Sequence, residues 1–129
     1  MKVSIVFEKN SVDEKNYGFF FNFINFLQKE LPLENNLKIL FLKKKKNNMT
    51  TGSRSDSSTL NVLVGGRMHR DILRTLAHEW THEYQTTILG RKKGTDIGGI
   101  NEDEANASAG RLVKMFEKQY PSFENKMYE

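Results

Sequence analysis

Two imidazoles set four residues apart, in the run His78-Glu79-Trp80-Thr81-His82, constrain the fold of this chain more than any other feature. In an α-helix, residues i and i+4 share a face with Cβ atoms roughly 5–6 Å apart, so both rings can reach one tetrahedral metal ion. Glu79 is turned about 100° from His78 around the helix axis and stands beside such an ion rather than on it. The pentapeptide therefore asks for a helix wedged into a core, with one wet, polar edge.

The flanking residues comply. Projected at about 100° per residue, Asp71, Thr75, His78, Glu79, His82 and Gln85 form one polar arc, while Ile72, Leu73, Leu76, Ala77, Trp80 and Tyr84 fall opposite. That pattern predicts a half-buried amphipathic helix from about Met68 to Leu89, with Gly90 as its C-terminal stop.

A catalytic zinc site takes three protein ligands, so a third donor must come from elsewhere. The chain has no cysteine, and its remaining histidine, His69, lies nine residues before His78 on the same helix, too far along the axis. A carboxylate is expected. The segment from Asn101 to Gly110 offers Glu102, Asp103 and Glu104 at the start of a second predicted helix. Glu102 and Glu104 would point about 200° apart around that helix, so only one of them can face the metal. Asp103 reads as a first-turn charge that complements the helix dipole.

HExxH followed by a helix reading E-x-E-A-N-x-x-A resembles the gluzincin metallopeptidases, in particular compact ones such as the minigluzincins and the ImmA/IrrE-like peptidases. The resemblance covers roughly residues 68–118. It implies Zn2+ held by His78, His82 and Glu102, with Asn106 as the neighbour that orients a ligating histidine. The alternative ligand, Glu104, then becomes a solvated or capping residue. Ser108 departs from the pattern, since many relatives carry Phe there. Glu79 is implied as general base and then general acid in zinc-assisted peptide hydrolysis. Tyr84, Tyr120, Tyr128, His69 and Arg111 are all candidate donors to the oxyanion, and the sequence does not choose among them.

At 129 residues the length suits one domain. The absence of cysteine excludes a disulfide framework and a thiolate metal site. The start, Met1 to Glu8, has too short an apolar run for a signal peptide and no later run approaches a membrane span, which leads to the expectation of a soluble cytoplasmic protein; a monomer is expected, and the metallopeptidase resemblance implies a protein or peptide substrate. Val3–Phe7, Leu37–Leu42 and Thr59–Val64 read as strands. Phe20, Phe23, Ile24, Leu27 and Leu31 recur at helical spacing between about Asp13 and Leu31, where Pro32 ends the run; this phenylalanine cluster reads as core. The expected fold is α+β: a small three-stranded sheet, mixed or mostly antiparallel, packed on a backing helix and the HExxH helix, with the glutamate helix following. The resemblance further implies an edge strand that holds substrate by backbone pairing, and residues 59–64 are the candidate.

Lys43-Lys44-Lys45-Lys46-Asn47-Asn48 and the polar stretch from Met49 to Ser58 read as a solvated hairpin loop. With a net charge of +4, the lysine run also raises contact with nucleic acid, although no aromatic residues interleave with it. Two other functional classes fit the same residues: a zinc-stabilised regulatory or binding module without turnover, and a DNA-associated protease docking through Lys43–Lys46. The loop from Gly90 to Ile100 joins the two metal-bearing helices, and the segment from Ser122 to Glu129 is a candidate to lie across the cleft.

Overall fold

A computed structural model describes residues 1–45, 49–56, 58–92 and 99–129. Strand β1 (Val3–Phe7) is followed by a 3-10 turn (Glu14–Asn16) and helix α1 (Tyr17–Glu30). Strands β2 (Leu37–Leu42), β3 (Gly52–Asp56) and β4 (Thr59–Leu63) come next, then helices α2 (His69–Thr87) and α3 (Ile100–Gln119). A 3-10 turn (Pro121–Phe123) and the short helix α4 (Glu124–Met127) complete the order. Among the described residues, no helix is long and apolar enough to cross a membrane.

The fold is α+β, as the hydrophobic periodicities imply, with a four-stranded mixed sheet in the order β1-β2-β4-β3. β1 and β2 pair in parallel, as do β2 and β4, and β3 runs antiparallel to β4. A parallel pair needs a crossover rather than a tight turn, and α1 supplies it between β1 and β2. Two expectations are corrected here. The sheet has four strands, because residues 52–56, which read as polar loop, form β3. Residues 59–64 do not form an edge: β4 pairs on both sides, and β3 is the edge next to it. The sequence Gly52-Ser53-Arg54-Ser55-Asp56 has no apolar alternation; its strand state comes from the backbone ladder to β4.

One face of the sheet carries the core. Phe20, Phe23 and Leu27 of α1, Ile39 and Phe41 of β2, Leu60 and Val62 of β4, Leu73, Leu76 and Trp80 of α2, and Leu112 and Phe116 of α3 belong to one buried cluster. The opposite face holds a smaller cluster of Leu42, Met49 and Leu63. Trp80, inside the histidine motif, points into the main core and donates its indole N–H to Leu31 O at 2.9 Å, satisfying a carbonyl at the C-terminal end of α1. The motif helix is thereby fixed by its dry side. Between β4 and α2 the chain passes so close to Lys43 that a Cβ on Gly65 would sit 2.1 Å from Lys43 O, which admits only glycine. Gly90, at φ +68°, supplies the stop after α2.

Candidate metal centre

His78 and His82 project from one face of α2 toward the first turn of α3, where Glu102 meets them. His78 Nε2 lies 2.9 Å from Glu102 Oε1, His82 Nε2 lies 3.0 Å from Glu102 Oε2, and the two Nε2 atoms are 3.1 Å apart. Donors bound to zinc at about 2.0–2.1 Å in a tetrahedron stand roughly 3.3–3.4 Å apart, so these separations fit a common ion with a few tenths of an ångström of adjustment. Among the described residues, His78, His82 and Glu102 are the group of acidic and histidine side chains close enough to hold a metal ion.

The donor chemistry agrees with the distances. His82 Nδ1 lies 2.8 Å from Gln85 Oε1. Gln85 turns its amide nitrogen to Asn101 O at 3.0 Å and to Glu104 Oε1 at 3.2 Å, so Oε1 is the atom that accepts. Nδ1 of His82 therefore carries the proton, and in the neutral ring Nε2 is left as a lone pair aimed at a carboxylate oxygen. Two lone-pair atoms at 3.0 Å need a cation, or a shared proton, between them. Burial pushes the His78 imidazole below its ordinary pKa while Glu102 pulls it up, and its side chain is hydrogen-bonded to Asn106. The neutral imidazole that burial favours is also the form that ligates metals.

Glu104 is turned to other work. It accepts from Arg91 Nη1 at 2.9 Å and from Gln85, and hydrogen bonds from these two, Gln85 first, hold its carboxyl below the usual range. It steadies the residue that steadies His82. Asp103 is an exposed first-turn acid. The small buried residues Ala105, Ser108 and Ala109 let α3 approach α2 closely, and across that contact Thr81 Oγ1, whose own proton goes to Ala77 O at 2.8 Å, lies 3.3 Å from Ser108 Oγ and accepts from it. Ser108 is thus part of the seam between the two helices that carry His78, His82 and Glu102.

Glu79 is buried, and it borders two cavities that also share His82 and Glu102. One, about 600 Å³, runs toward the N-terminal half of α2 past Arg67, Asp71, Arg74 and Thr75. The other, about 690 Å³, runs toward the C-terminal half past Arg54, Gln85, Thr86 and Ile100. Edge strand β3 forms one wall. Its Gly52 packs directly on Thr75 and Glu79, and its Arg54 donates to Glu83 Oε1 at 2.6 Å and to Thr86 Oγ1 at 2.7 Å.

The five oxyanion candidates do not line either cavity. His69 is packed against Phe19 and Phe20, with Nδ1 2.8 Å from Lys126 O. Tyr84 and Tyr120 pack on the core, Tyr128 is exposed near the C-terminal end, and exposed Arg111 donates to Met115 Sδ at 3.4 Å. The segment 122–129 does not cross the cleft; it docks at the start of α2, where the His69 backbone N–H donates to Glu129 O at 2.8 Å. Lys43, Lys44 and Lys45 are exposed, and Lys46 lies outside the described residues, as does the middle of the 90–100 loop. Arg67, Arg74 and β3 also line the site, and none of them stands out in the sequence by composition as a site element. For Arg74 a signal existed, since residues 74, 78 and 82 lie on one helical stripe.

Residues 7–126 match the model of a family of unknown function (DUF6055). No curated protein and no solved structure matches the chain.

Proposed function

The chain belongs to the DUF6055 family, and we propose that it is a zinc-dependent metallopeptidase that hydrolyses peptide bonds, with His78, His82 and Glu102 as metal ligands and Glu79 as the proton carrier. The observation that carries this reading is the convergence of His78 Nε2, His82 Nε2 and both Glu102 oxygens within 2.9–3.1 Å, with His82 Nδ1 2.8 Å from Gln85 Oε1, a contact that in the neutral ring leaves Nε2 free for a metal. A zinc ion held there supplies Lewis acidity, bringing the pKa of a water molecule toward neutrality and polarising the scissile carbonyl.

The remaining steps belong to the chain. Glu79, one residue after the first ligand, takes a proton from the attacking water as the oxygen bonds to the carbonyl carbon. It returns that proton to the amide nitrogen as the C–N bond breaks, giving a carboxylic acid and an amine. Gln85 and Asn106 hold the two imidazoles in orientation. β3, the exposed edge beside Glu79, offers backbone groups for an extended peptide. A cytoplasmic setting and action as a monomer are part of the same proposal.

Metal reconstitution tests the reading. Protein stripped with a chelator should lose cleavage of a mixed peptide library, and one equivalent of zinc should restore it. Cleavage that persists unchanged in protein shown to be metal-free would contradict it.

A further inference from the structure

We propose that Arg74 is a specificity-determining residue that binds a carboxylate of the peptide substrate on the side of the scissile bond nearer the start of α2. The inference rests on the peptidase reading, and it concerns which peptides the site takes.

Four of the arginines are occupied by the protein itself. Arg54 is paired with Glu83, Arg70 with Glu117, and Arg91 with Glu104. Arg67 borders the same cavity as Arg74, but its guanidinium donates to Leu63 O at 2.8 Å, Asp71 O at 3.0 Å and Thr75 Oγ1 at 2.8 Å. These bonds brace the entry to α2 and leave it committed. Arg74 is different: it is exposed, it lines the cavity that ends at His78 and Glu79, and no ion pair or hydrogen bond ties its side chain to a described residue.

Its position suits a substrate contact. Arg74 precedes His78 by one helical turn, so its Cα lies roughly 6 Å along the axis from that of the first ligand. That is short enough for a guanidinium to reach the residue next to a bond held at the metal donors, or the one beyond it. The carboxylates of this cavity are Glu79 and Glu102, assigned to the reaction and to the metal, and Asp71, which acts on Arg67. Among the described residues, the part nearest α2's start thus keeps one uncompensated cation. A planar guanidinium with free N–H groups selects carboxylates through paired hydrogen bonds. The second cavity, past Ile100, has no such free arginine, because Arg54 is spent on Glu83 and Thr86. Among the described residues the two sides of the site differ in charge, and the acidic group belongs on the Arg74 side.

The carboxylate can come from an acidic side chain or from the free C-terminus of a short peptide. Matched heptapeptides separate the sources: one pair differs as Glu or Gln within the sequence, the other as free acid or amide at the end. Binding is measured to zinc-loaded Glu79→Gln protein, with and without Arg74→Gln, and cleavage is measured with wild type. The acid member of at least one pair should bind roughly 10- to 100-fold more tightly, and Arg74→Gln should bring that ratio close to one while zinc content and circular dichroism hold. Arg74→Glu should invert the preference toward Lys-containing peptides. Equal binding of acid and neutral members, or a preference that survives Arg74→Gln, would overturn the assignment even if every peptide is cut. An Arg74-dependent preference without cleavage supports the assignment and removes the peptidase reading alone.

Discussion

Gly52 on the edge strand and Glu79 on the motif helix are packed so closely that a methyl group fits on the glycine only if a neighbour shifts. A Cβ on Gly52 would lie 3.0 Å from Glu79 Cγ and 2.6 Å from Thr75 Cγ2. Thr75 is buried and β-branched, so it cannot swing away at low cost. Gly52→Ala should therefore destabilise the protein by about 1–3 kcal/mol. It should also displace Glu79 and depress turnover more than metal content. Urea denaturation beside zinc analysis checks this, and a variant as stable and as active as wild type would show that the strand yields.

The Arg54–Glu83 pair ties the same strand to the same helix. The two side chains are 8% and 2% exposed and their closest atoms are 2.6 Å apart. Removing one partner leaves the other charge buried, so Glu83→Leu alone should cost about 3–5 kcal/mol, whereas Arg54→Met with Glu83→Leu should cost much less than the sum of the singles. A double-mutant cycle in urea measures the coupling, and additive single effects would contradict it.

On the proposed reading, Gln85 acts on a bound metal through His82. Gln85→Leu removes the acceptor that fixes the proton on Nδ1, and the expected result is a 10- to 100-fold loss of zinc affinity, by order of magnitude, with the fold retained. Glu104→Ala should have a weaker effect in the same direction, because Glu104 touches Gln85 and Arg91 rather than the donors. Competition with a chromophoric chelator gives both numbers, and a larger loss in Glu104→Ala than in Glu102→Ala would reverse the ligand assignment.

His69 makes the metal-free protein sensitive to acid. Burial lowers its pKa below the ordinary 6.5, helped by Lys126 and Lys15 and opposed by the Lys126 carbonyl and Glu129. The unfolded chain therefore takes up this proton first as pH falls, so the stability contribution is intact above about pH 6.5 and is lost below it. His78 shifts in the same direction for the same leading reason. The denaturation midpoint of the metal-free protein should fall between about pH 7 and pH 5.5, and His69→Gln should flatten the decline. An equally steep decline in the variant would assign the effect elsewhere.

These relationships differ in how far the chain itself announces them. The histidine pair, its helix and the carboxylate helix are legible because 3.6-residue periodicity and chemistry agree at the same positions: His78 and His82 share a face as their spacing implies, and Glu102 rather than Glu104 meets them, as the family resemblance implies. β1, β2 and β4 are legible because Val, Ile, Leu and Phe mark them. β3 is not, since Gly52-Ser53-Arg54-Ser55-Asp56 is a strand only by virtue of its partner β4, and a pairing between strands leaves no local pattern. The oxyanion candidates are marked in the sequence by residue type alone. Where Tyr84 and His69 point is decided by the phase of α2 against the phenylalanines of α1, a tertiary fact. Arg74 sits on the legible 74-78-82 stripe, but an arginine on a helix surface is ordinarily solvated, and only the surrounding cavity and the occupied neighbours distinguish it.

The most direct measurement compares zinc-loaded wild type with zinc-loaded Glu79→Gln on one peptide library, with metal content determined on the same samples. Wild type should cleave, and Glu79→Gln should retain about one zinc per chain while losing at least 10²-fold in kcat. Equal cleavage by the two proteins at equal zinc content, or none by either, would contradict the account.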